Sequence, residues 1–417
     1  MTDKKQRKAP VLRFKGFTND WEQRKLSDET NRIRSYSISH GFEVAEDTGT
    51  KYIHYGDIHT GKVKNINNIN VLPNIEDNNY KPLKYGDVIV ADASEDYKGI
   101  ADACIVNTIS NSYKIVAGLH TIAFRPKSKL CSKFLYFYLS TDIFKHFGYK
   151  TGTGLKVFGI SYKELAKLKL KEPSATEQKK IVKLLFLIEK AIHLQQRKLK
   201  KIKLLKRAML QNLFTCKSFP KVRFKGFLNA WEQCNLGEIA QIIGGGTPST
   251  KNPEYWNGSI NWYSPIEIGK NIYVSKSNKK ITKLGLQYSS AKMLPGKRTI
   301  LFTSRAGIGD MAIMLTDGCT NQGFQSWVIN DQITNIYFLF SLGSFIKKEV
   351  IRKASGSTFL EISNKEIKKI KIFIPNKKEQ DCIGKLIQMI DILLSLQQQK
   401  VKELQQTKEF LLQNMFI

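Results

Sequence analysis

The stretch RFKGFTNDWEQ, Arg13–Gln23, occurs twice in this chain of 417 residues. It returns as RFKGFLNAWEQ, Arg223–Gln233, with nine of eleven positions identical and the numbering displaced by 210. Self-similarity at a fixed displacement is the sequence signature of a duplicated structural unit. We therefore interpret the chain as two tandem copies of one unit, each starting near this motif.

A second pair of matching segments follows, with a smaller displacement. Pro173 corresponds to Pro375 and Gln195 to Gln397, and the members of each pair are 202 residues apart. The change from 210 to 202 places eight extra residues in the first copy, within about 125 residues per copy that barely align. Segments kept alike in both copies are expected to perform the same task twice. Segments that have diverged are expected to perform two different tasks.

The matching segments after the two prolines carry apolar residues at every seventh position. Four to five such heptads without an internal proline are typical of a coiled coil. Because one chain carries both helices, we predict that they pair as an antiparallel coiled coil with pseudo-two-fold symmetry; pairing between chains is the alternative. A glutamine in each seam either fixes the register or lies at its edge. The predicted seam residues are Ile181, Ile188, Gln195, Ile202, Ile383, Ile390, Gln397 and Leu404.

The composition favours a polyanionic partner. Lys and Arg number 67 against 36 Asp and Glu, which gives a net charge of +31. A field of this sign concentrates nucleic acid around the protein, so double-stranded DNA is the expected partner and an anionic membrane surface is less favoured. The alternative is a lysine-rich surface whose charges are merely solvated.

The hydropathy of the sequence does not indicate a membrane protein. The basic N-terminus is followed by no apolar stretch typical of a secretory signal, and no apolar run approaches the roughly 20 residues that a membrane span needs. The six cysteines lie far apart without a C-x-x-C pair, so no zinc site is predicted. We expect a cytoplasmic protein without a bound metal.

The regions that barely align are predicted to be two mixed α/β domains. The first combines strand-like runs at Asp87–Ala91 and Thr121–Arg125 with one aromatic helical stretch, Lys133–Phe147. The chain is accordingly divided into a basic segment with the first motif (1–21), a first variable domain (22–150), a first helical region (151–220), a second variable domain (221–353) and a second helical region (354–417).

The loops of both variable domains are rich in residues that contact phosphates, hydrogen-bond base edges or stack on bases. Each such residue could also be a simple turn former. Arg305 is the strongest candidate, because it lies between Ser304 and a glycine-rich turn and could bind guanine O6 and N7 with two hydrogen bonds; a phosphate contact is the alternative. The candidate DNA-binding residues are Tyr55, Lys62, Lys64, Asn65, Lys98, Thr247, Ser249, Lys251, Trp256, Tyr263, Ser304, Arg305 and Gln322.

Two strings look like catalytic motifs but lack essential parts. Gly244–Thr247 resembles a phosphate loop without its Gly-Lys-Ser/Thr, so a turn or a DNA-phosphate contact through backbone amides is the better account. Asn252–Tyr255 resembles the Asn-Pro-Pro-Tyr signature of amino-methyltransferases, but Glu254 replaces the second proline. The six histidines show no nucleophile or carboxylate neighbours that recur between the copies. We therefore predict no catalytic residue in this chain. A methyltransferase or nuclease with an unrecognised site, and a coiled-coil scaffold with incidental basicity, remain alternatives.

The repeated motif, the Pro…Glu-Gln start of each long helix, and the string GGTPSTKNPEYWNG followed by Trp262 resemble the specificity subunits of type I restriction-modification enzymes, called HsdS. The resemblance covers essentially the whole chain. It implies that each variable domain is a target recognition domain that reads one half of an asymmetric, bipartite DNA site. It also implies that the helical repeats set the gap between the halves and dock two methyltransferase subunits.

The resemblance places the catalysis elsewhere. S-adenosylmethionine chemistry is expected in the modification subunits, and ATP-driven translocation and cleavage in the restriction subunits; magnesium is also expected in the partner subunits. The specificity subunit itself is expected to hold no cofactor. Because the variable loops are where such proteins differ most, the resemblance assigns no individual base-contacting residue.

Overall fold

The computed structural model describes residues 8–94, 101–110, 112–154, 158–214, 217–305, 307–354 and 361–417. The chain divides into two compact units. The first unit comprises Met1–Gln196 and Lys400–Ile417, and the second comprises Arg197–Gln399. Each unit therefore holds one variable domain and a part of each long helix, whereas the five predicted segments assign each helix to a single region.

The elements of the first copy alternate between short strands and short helices before one long helix. In chain order they are β1 (Glu22–Lys25), α1 (Leu26–Glu29), β2 (Thr30–Ile33), β3 (Glu43–Val44), β4 (Thr50–Ile53), α2 (Tyr55–His59), β5 (Asn65–Ile66), β6 (Asn74–Ile75), β7 (Val88–Ala91), β8 (Ala93–Ser94), β9 (Ala103–Val106), β10 (Lys114–Ala117), β11 (Thr121–Pro126), α3 (Ser132–Tyr138), α4 (Asp142–Thr151), β12 (Phe158–Gly159), α5 (Tyr162–Leu165), β13 (Lys169–Glu172) and α6 (Ala175–Leu213).

The second copy follows the same plan. Its elements are β14 (Glu232–Asn235), α7 (Leu236–Ile239), β15 (Ala240–Gly244), β16 (Trp256–Tyr263), β17 (Tyr273–Val274), β18 (Lys279–Ile281), α8 (Lys283–Gln287), β19 (Thr299–Phe302), β20 (Met311–Met314), β21 (Gly318–Thr320), β22 (Gln325–Ile329), α9 (Ile336–Ser341), α10 (Gly343–Lys353), α11 (Asn364–Lys368), β23 (Lys371–Ile374) and α12 (Lys377–Asn414).

The two variable domains share one sheet topology. The larger sheet has the order β2-β11-β7-β9-β5 in the first unit and β15-β22-β19-β20-β17 in the second. In both, the last strand is parallel to its neighbour and the other pairs are antiparallel. A smaller sheet in each unit also contains one parallel pair, β4 with β10 and β16 with β21. The predicted mixed α/β fold is confirmed, and the duplication extends through regions whose sequences barely align.

The central strands are buried on both faces because helices cover the larger sheet. All four residues of β7 (VIVA) and of β19 (TILF) are buried, which explains their uninterrupted apolar runs. The prediction of one helix over Lys133–Phe147 is wrong, since α3 and α4 are separate. Thr141 begins α4 by accepting a hydrogen bond from the Phe144 amide, and a side-chain cap of this kind marks a new helix start.

The repeated motif anchors each domain to the start of its long helix. The Arg13 guanidinium makes two hydrogen bonds to the Glu177 carboxylate, at 2.7 and 2.8 Å. Arg223 binds Glu379 in the same way, at 2.8 and 2.7 Å. Bidentate pairs between charged groups combine strength with a fixed geometry. The motif is therefore alike in both copies because it performs the same structural task twice.

The two long helices contain 39 and 38 residues. In the first unit Lys408 Nζ lies 2.6 Å from Glu189 Oε1, and in the second Lys206 Nζ lies 2.5 Å from Asp391 Oδ1. Between the first ion pair and the second, the residue number rises by 17 on α6, from 189 to 206, and falls by 17 on α12, from 408 to 391. The two helices are therefore antiparallel and keep one register. The predicted pairing within one chain is thereby confirmed.

The predicted seam positions all lie on the covered side of these helices. Ile181, Ile383, Ile390 and Gln397 are buried, and Ile188, Gln195, Ile202 and Leu404 are half-buried. Across the described parts of the chain, no helix is long and apolar enough to cross a bilayer.

Candidate nucleic-acid interface

Polar loops gather at one end of the larger sheet in the second unit. Strands β15 and β19 end there, and the antiparallel strands β20 and β22 begin there. The connections 245–255, 303–310 and 321–324 therefore meet at the same edge. Three predicted DNA-binding residues, Thr247, Arg305 and Gln322, lie one on each of these loops.

Direct contacts join these three loops. Thr247 Oγ1 donates a hydrogen bond to Gln322 Oε1, and the Ser304 amide donates to the Gly323 carbonyl at 2.9 Å. Arg305 lies beside Gly323, and its Nη1 is 3.9 Å from Glu361 Oε2. Thr247 and Gln322 are exposed and Arg305 is half-exposed. The structure thus brings Thr247, Arg305 and Gln322 into one polar surface, which we call the second-unit loop surface.

Two of the three glycines before Thr247, Gly245 and Gly246, are required by close packing. A Cβ on Gly245 would lie 2.0 Å from the Asn321 carbonyl oxygen, and one on Gly246 would lie 2.2 Å from Ser290 Oγ. The Gly246 amide donates to the Thr320 carbonyl at 2.8 Å, so it is already engaged inside the domain. Of the two accounts of this string, the turn fits, because only glycine allows such an approach.

The loop that follows is held by two tryptophans. Trp256 Nε1 donates to the Ser249 carbonyl at 3.1 Å, and its ring meets Trp262 edge to face with 5.2 Å between centroids. Lys279 Nζ lies 5.7 Å from the centre of the Trp256 ring. Ser249 and Lys251 are exposed on this loop and Trp256 is half-exposed.

The resemblance to a methyltransferase signature has a structural explanation. Asn252 Oδ1 accepts a hydrogen bond from the Glu254 amide at 3.2 Å and thereby caps the 3₁₀ turn Pro253–Tyr255. Asn-Pro at the start of a short helical turn is favoured because asparagine caps it and proline suits its first position.

Two residues that were predicted to contact DNA do not lie on the surface. Tyr263 is fully buried at the end of β16, in a cluster with Ile268 and Leu301. Ser304 is also fully buried, and its backbone bonds to Gly323 and Ile362. Their side chains cannot contact DNA directly, and we correct both assignments. Short polar motifs do not reveal that a strand end or a loop start is covered by a neighbouring loop.

The equivalent end of the first unit carries a different set of side chains. The described parts of the connections 34–49, 92–102 and 118–120 meet there, as their counterparts do in the second unit. Lys98 belongs to one of them but lies outside the described residues. The end of this sheet instead gathers five rings that we call the imidazole patch, of which only Tyr55 was predicted. Its members are His40, His54, Tyr55, His59 and His120.

The rings of the imidazole patch are in mutual contact. His40 and His54 have centroids 4.0 Å apart, and His54 and Tyr55 have centroids 4.5 Å apart. His120 and His59 meet the Tyr55 ring edge to face at 5.2 and 5.9 Å. The sequence gives one weak signal for this cluster, since Tyr55 and His59 are four residues apart on α2 and share a face.

Each exposed histidine of the patch has a carboxylate partner. His40 Nδ1 lies 2.6 Å from Glu43 Oε1, and His120 Nδ1 lies 3.2 Å from Asp92 Oδ1. Burial opposes ionisation of Glu43, but hydrogen bonds from His40 and Tyr52 outweigh it and lower the pKa of this carboxyl. Within the described residues, no cluster of histidine, cysteine and carboxylate side chains could hold a metal ion.

The remaining predictions for the first unit lie beside this patch. Lys62 Nζ is 3.1 Å from Asp57 Oδ1 on α2. Lys64 is exposed, and its carbonyl accepts the Ile105 amide at 3.0 Å. Asn65 begins β5 and is half-buried. These residues and the imidazole patch form neighbouring surfaces.

A duplicated α/β domain with diverged polar loops on a scaffold of paired helices defines a modular recognition protein. Residues 18–204 and 229–406 each match the family described as type I restriction modification DNA specificity domain. The two matches cover most of the chain. The chain therefore belongs to the family of type I restriction-modification specificity subunits, as the repeated motif predicted.

Individual relatives align with only part of the chain. A type I restriction enzyme specificity subunit of Methanocaldococcus jannaschii is 33% identical over 190 residues, 45% of this chain and 44% of that protein. One of Escherichia coli is 32% identical over 165 residues, 38% of this chain and 40% of the relative. The chain thus spans less than half the length of these two relatives.

Among solved structures, the S subunit of a type I restriction-modification system from M. genitalium has a TM-score of 0.61 at 14% identity. The superposition covers 98% of this chain and 99% of the other. At this identity the likeness shows the fold.

Proposed function

We propose that this chain is the DNA-recognition subunit of a type I restriction-modification complex and reads an asymmetric, bipartite DNA site with one half per variable domain. The observation that carries the proposal is the shared topology of the two domains with different side chains on equivalent loops. A threonine, an arginine and a glutamine line the second-unit loop surface, and histidines line the first. Different hydrogen-bonding groups select different base edges, so two unlike half-sites follow.

The positive charge of the chain supports a DNA partner. Its net charge of +31 supplies the sequence-independent attraction that positions such a protein on the phosphate backbone. Base contacts then come from the loops. We place this subunit in the cytoplasm, where it would meet DNA.

Exposed apolar side chains at repeated positions support docking of two methyltransferase subunits. Leu187 and Leu194 of α6 are 57% and 60% exposed, and their repeat equivalents Met389 and Leu396 of α12 are 54% and 59% exposed. Residues seven apart lie on one face of a helix. An apolar pair that remains uncovered at the same place in each copy fits a partner surface used twice.

The proposed subunit performs no catalysis itself. The family resemblance assigns S-adenosylmethionine to the methyltransferase subunits, ATP to restriction subunits in the full complex, and magnesium to the partner subunits. In this chain the candidate methyltransferase signature at Asn252 serves as a helix cap. That capping role supports a recognition function over a catalytic one.

Two measurements test this function. Methylome sequencing of cells with and without the chain should show a bipartite motif whose methylation depends on it. The purified chain should transfer no labelled methyl group from S-adenosylmethionine to DNA until methyltransferase subunits are added. Transfer by the chain alone would overturn the proposal in favour of an unrecognised methyltransferase.

A further inference from the structure

We propose that the imidazole patch reads base edges in the half-site of the first unit, with His40 and His120 as specificity-determining residues. Their Nε2 atoms would accept hydrogen bonds from the amino groups of cytosine N4 or adenine N6. This inference rests on the proposed function and identifies the chemistry of one of its two reading surfaces.

The imidazole patch occupies the same structural position in the first unit as the second-unit loop surface does in the second unit. His120 lies on the connection from β10 to β11, and Gln322 lies on the equivalent connection from β21 to β22. His40 lies on the connection from β2 to β4, which corresponds to the β15-to-β16 connection with Thr247. All six histidines of the chain precede residue 194, so the second unit contains none. The two surfaces therefore occupy one structural position with different chemistry.

The backbone around His120 is shaped to present its ring. His120 has a φ of +53°, in the left-handed region that residues other than glycine seldom adopt. A Cβ on Gly118 would lie 2.6 Å from the Tyr52 side chain, so glycine allows this short connection to pack against β4. Strain of this kind persists where the surroundings enforce it, and it concentrates at functional sites. The connection thereby holds His120 against Tyr55.

The carboxylate partners fix which ring nitrogen points outward. A carboxylate only accepts hydrogen bonds, so His40 Nδ1 donates to Glu43 and His120 Nδ1 donates to Asp92. In the neutral ring, Nε2 is then an acceptor. Neither Nε2 forms a hydrogen bond among the described residues, and the two side chains are 57% and 49% exposed. An outward acceptor matches the amino groups that cytosine and adenine present in the major groove.

Protonation would invert this preference. Each charged ring carries a proton on Nε2 and becomes a donor, which suits guanine O6 or N7 instead of an amino group. Phosphate is a poor alternative partner for the neutral patch, because acidic side chains surround it. The titratable groups facing the rings are Glu43, Tyr52, Asp57, Lys62, Asp92 and Asp102.

The buried histidine of the patch resists protonation. Burial lowers the pKa of His54, and the neighbouring His40 lowers it further. Burial also raises the pKa of Asp92, although His120 opposes this effect. His54 therefore acts as a neutral platform under His40.

The test is selection of bound duplexes from a randomised DNA library by the full chain at pH 8 and pH 6. We expect two half-sites at pH 8. At pH 6, positions in one half that prefer cytosine or adenine should lose that preference about tenfold, and the other half should be unchanged. His40→Gln and His120→Asn should make the affected half insensitive to pH; asparagine tolerates the left-handed backbone. His146→Gln, on exposed α4, is the matched control.

The outcomes separate this inference from the function on which it rests. If neither half shows a base preference at either pH, the proposed recognition function fails. If both halves are read but the histidine variants leave both preferences and their pH response unchanged, the imidazole patch is not the reading surface. Gln322→Ala should alter only the opposite half and so assign each half to its unit. Thermal unfolding of each variant shows that it is folded.

Discussion

A single arginine offers the sharpest test of base reading in the second unit. Arg305 lies beside Gly323 on the second-unit loop surface, and its Nη1 lies 3.9 Å from Glu361 Oε2. If Arg305 binds guanine, Arg305→Ala should cost about 1–3 kcal/mol of binding free energy and relax preference at one base pair. Binding to the selected duplex and to single-substituted duplexes measures this.

The phosphate alternative gives a different pattern. A phosphate contact predicts a uniform loss over all duplexes and a salt dependence reduced by about one charge. Arg352→Ala is the control, because Arg352 is exposed on α10 and pairs with Glu349. A uniform loss would contradict the assignment of Arg305 to base reading.

The repeated motif can be tested through its buried ion pair. The Glu379 side chain is completely buried and Arg223 is its bidentate partner. Arg223→Ala should lower the free energy of unfolding by about 3–5 kcal/mol, because it leaves an uncompensated buried carboxylate. Denaturant unfolding measures the change.

A double variant checks the cause of that loss. Adding Glu379→Gln to Arg223→Ala should recover part of the stability, since a neutral amide is less costly to bury than a charge. If the second substitution instead deepens the loss, the buried charge is not its origin.

At the scale of elements, the β1–β13 pair should respond to pH. Burial, reinforced by the nearby Glu29, raises the pKa of the Glu172 carboxyl to about 7. The folded state therefore holds a proton that the unfolded chain releases between its ordinary pKa of 4.5 and pH 7. Stability from this group is present at low pH and falls as pH rises through that window.

Glu172→Gln should consequently stabilise the protein at pH 8, by on the order of 1 kcal/mol, and leave stability at pH 4 nearly unchanged. Urea unfolding at the two pH values measures this difference. Glu409→Gln, at an exposed position of α12, is the control. An equal effect of Glu172→Gln at both pH values would show that packing, not ionisation, is responsible.

The exposed apolar residues on the two long helices predict how many methyltransferase subunits bind. Leu194→Ser and Leu396→Ser each remove an exposed apolar side chain, so folding should be unaffected. Each single variant should bind one methyltransferase subunit tightly instead of two, and the double variant should bind neither tightly. Sedimentation of the mixed subunits gives the stoichiometry. Gln398→Ser, exposed on the same helix, is the control, and loss of both subunits from a single variant would contradict two independent sites.

The sequence predicts these helices well because their signal is local and periodic. Every seventh residue, counted from Ile181 on α6 and from Ile383 on α12, lies on the same covered face of its helix. The imidazole patch has no such signal, since His40, His54 and His120 come from separate connections that only the sheet brings together. Tyr263 was misplaced for the same reason: its burial depends on loops distant in sequence.

At the scale of the whole molecule, recognition should be modular. Exchanging residues 232–353 for the variable domain of another family member replaces the second-unit loop surface and keeps the motif pair Arg223–Glu379. We expect one half of the methylated motif to change and the other to stay, as measured by methylome sequencing. The control is the same exchange made with the original residues 232–353. A change in both halves would contradict one half per domain.

The strand-for-strand correspondence of the two domains could not be predicted from sequence. The two sequences share little in these domains beyond a glycine shortly before a buried strand, Gly86 before β7 and Gly296 before β19. Topology depends on which positions are buried and where turns occur, and many different residues satisfy both requirements. Loop chemistry can therefore diverge while the sheet beneath it is kept.

The first unit is built from two distant parts of the chain, and this has a consequence for protein synthesis. Phe416 packs on Phe134 and Trp21, with ring centroids 5.2 and 6.4 Å away, so a residue just after α12 completes a core begun near residue 21. The equivalent Phe214 of the second unit is made just before its domain. During translation the second domain can thus close its core as it emerges. The first must wait, with Trp21 only partly covered, until Phe416 has been made.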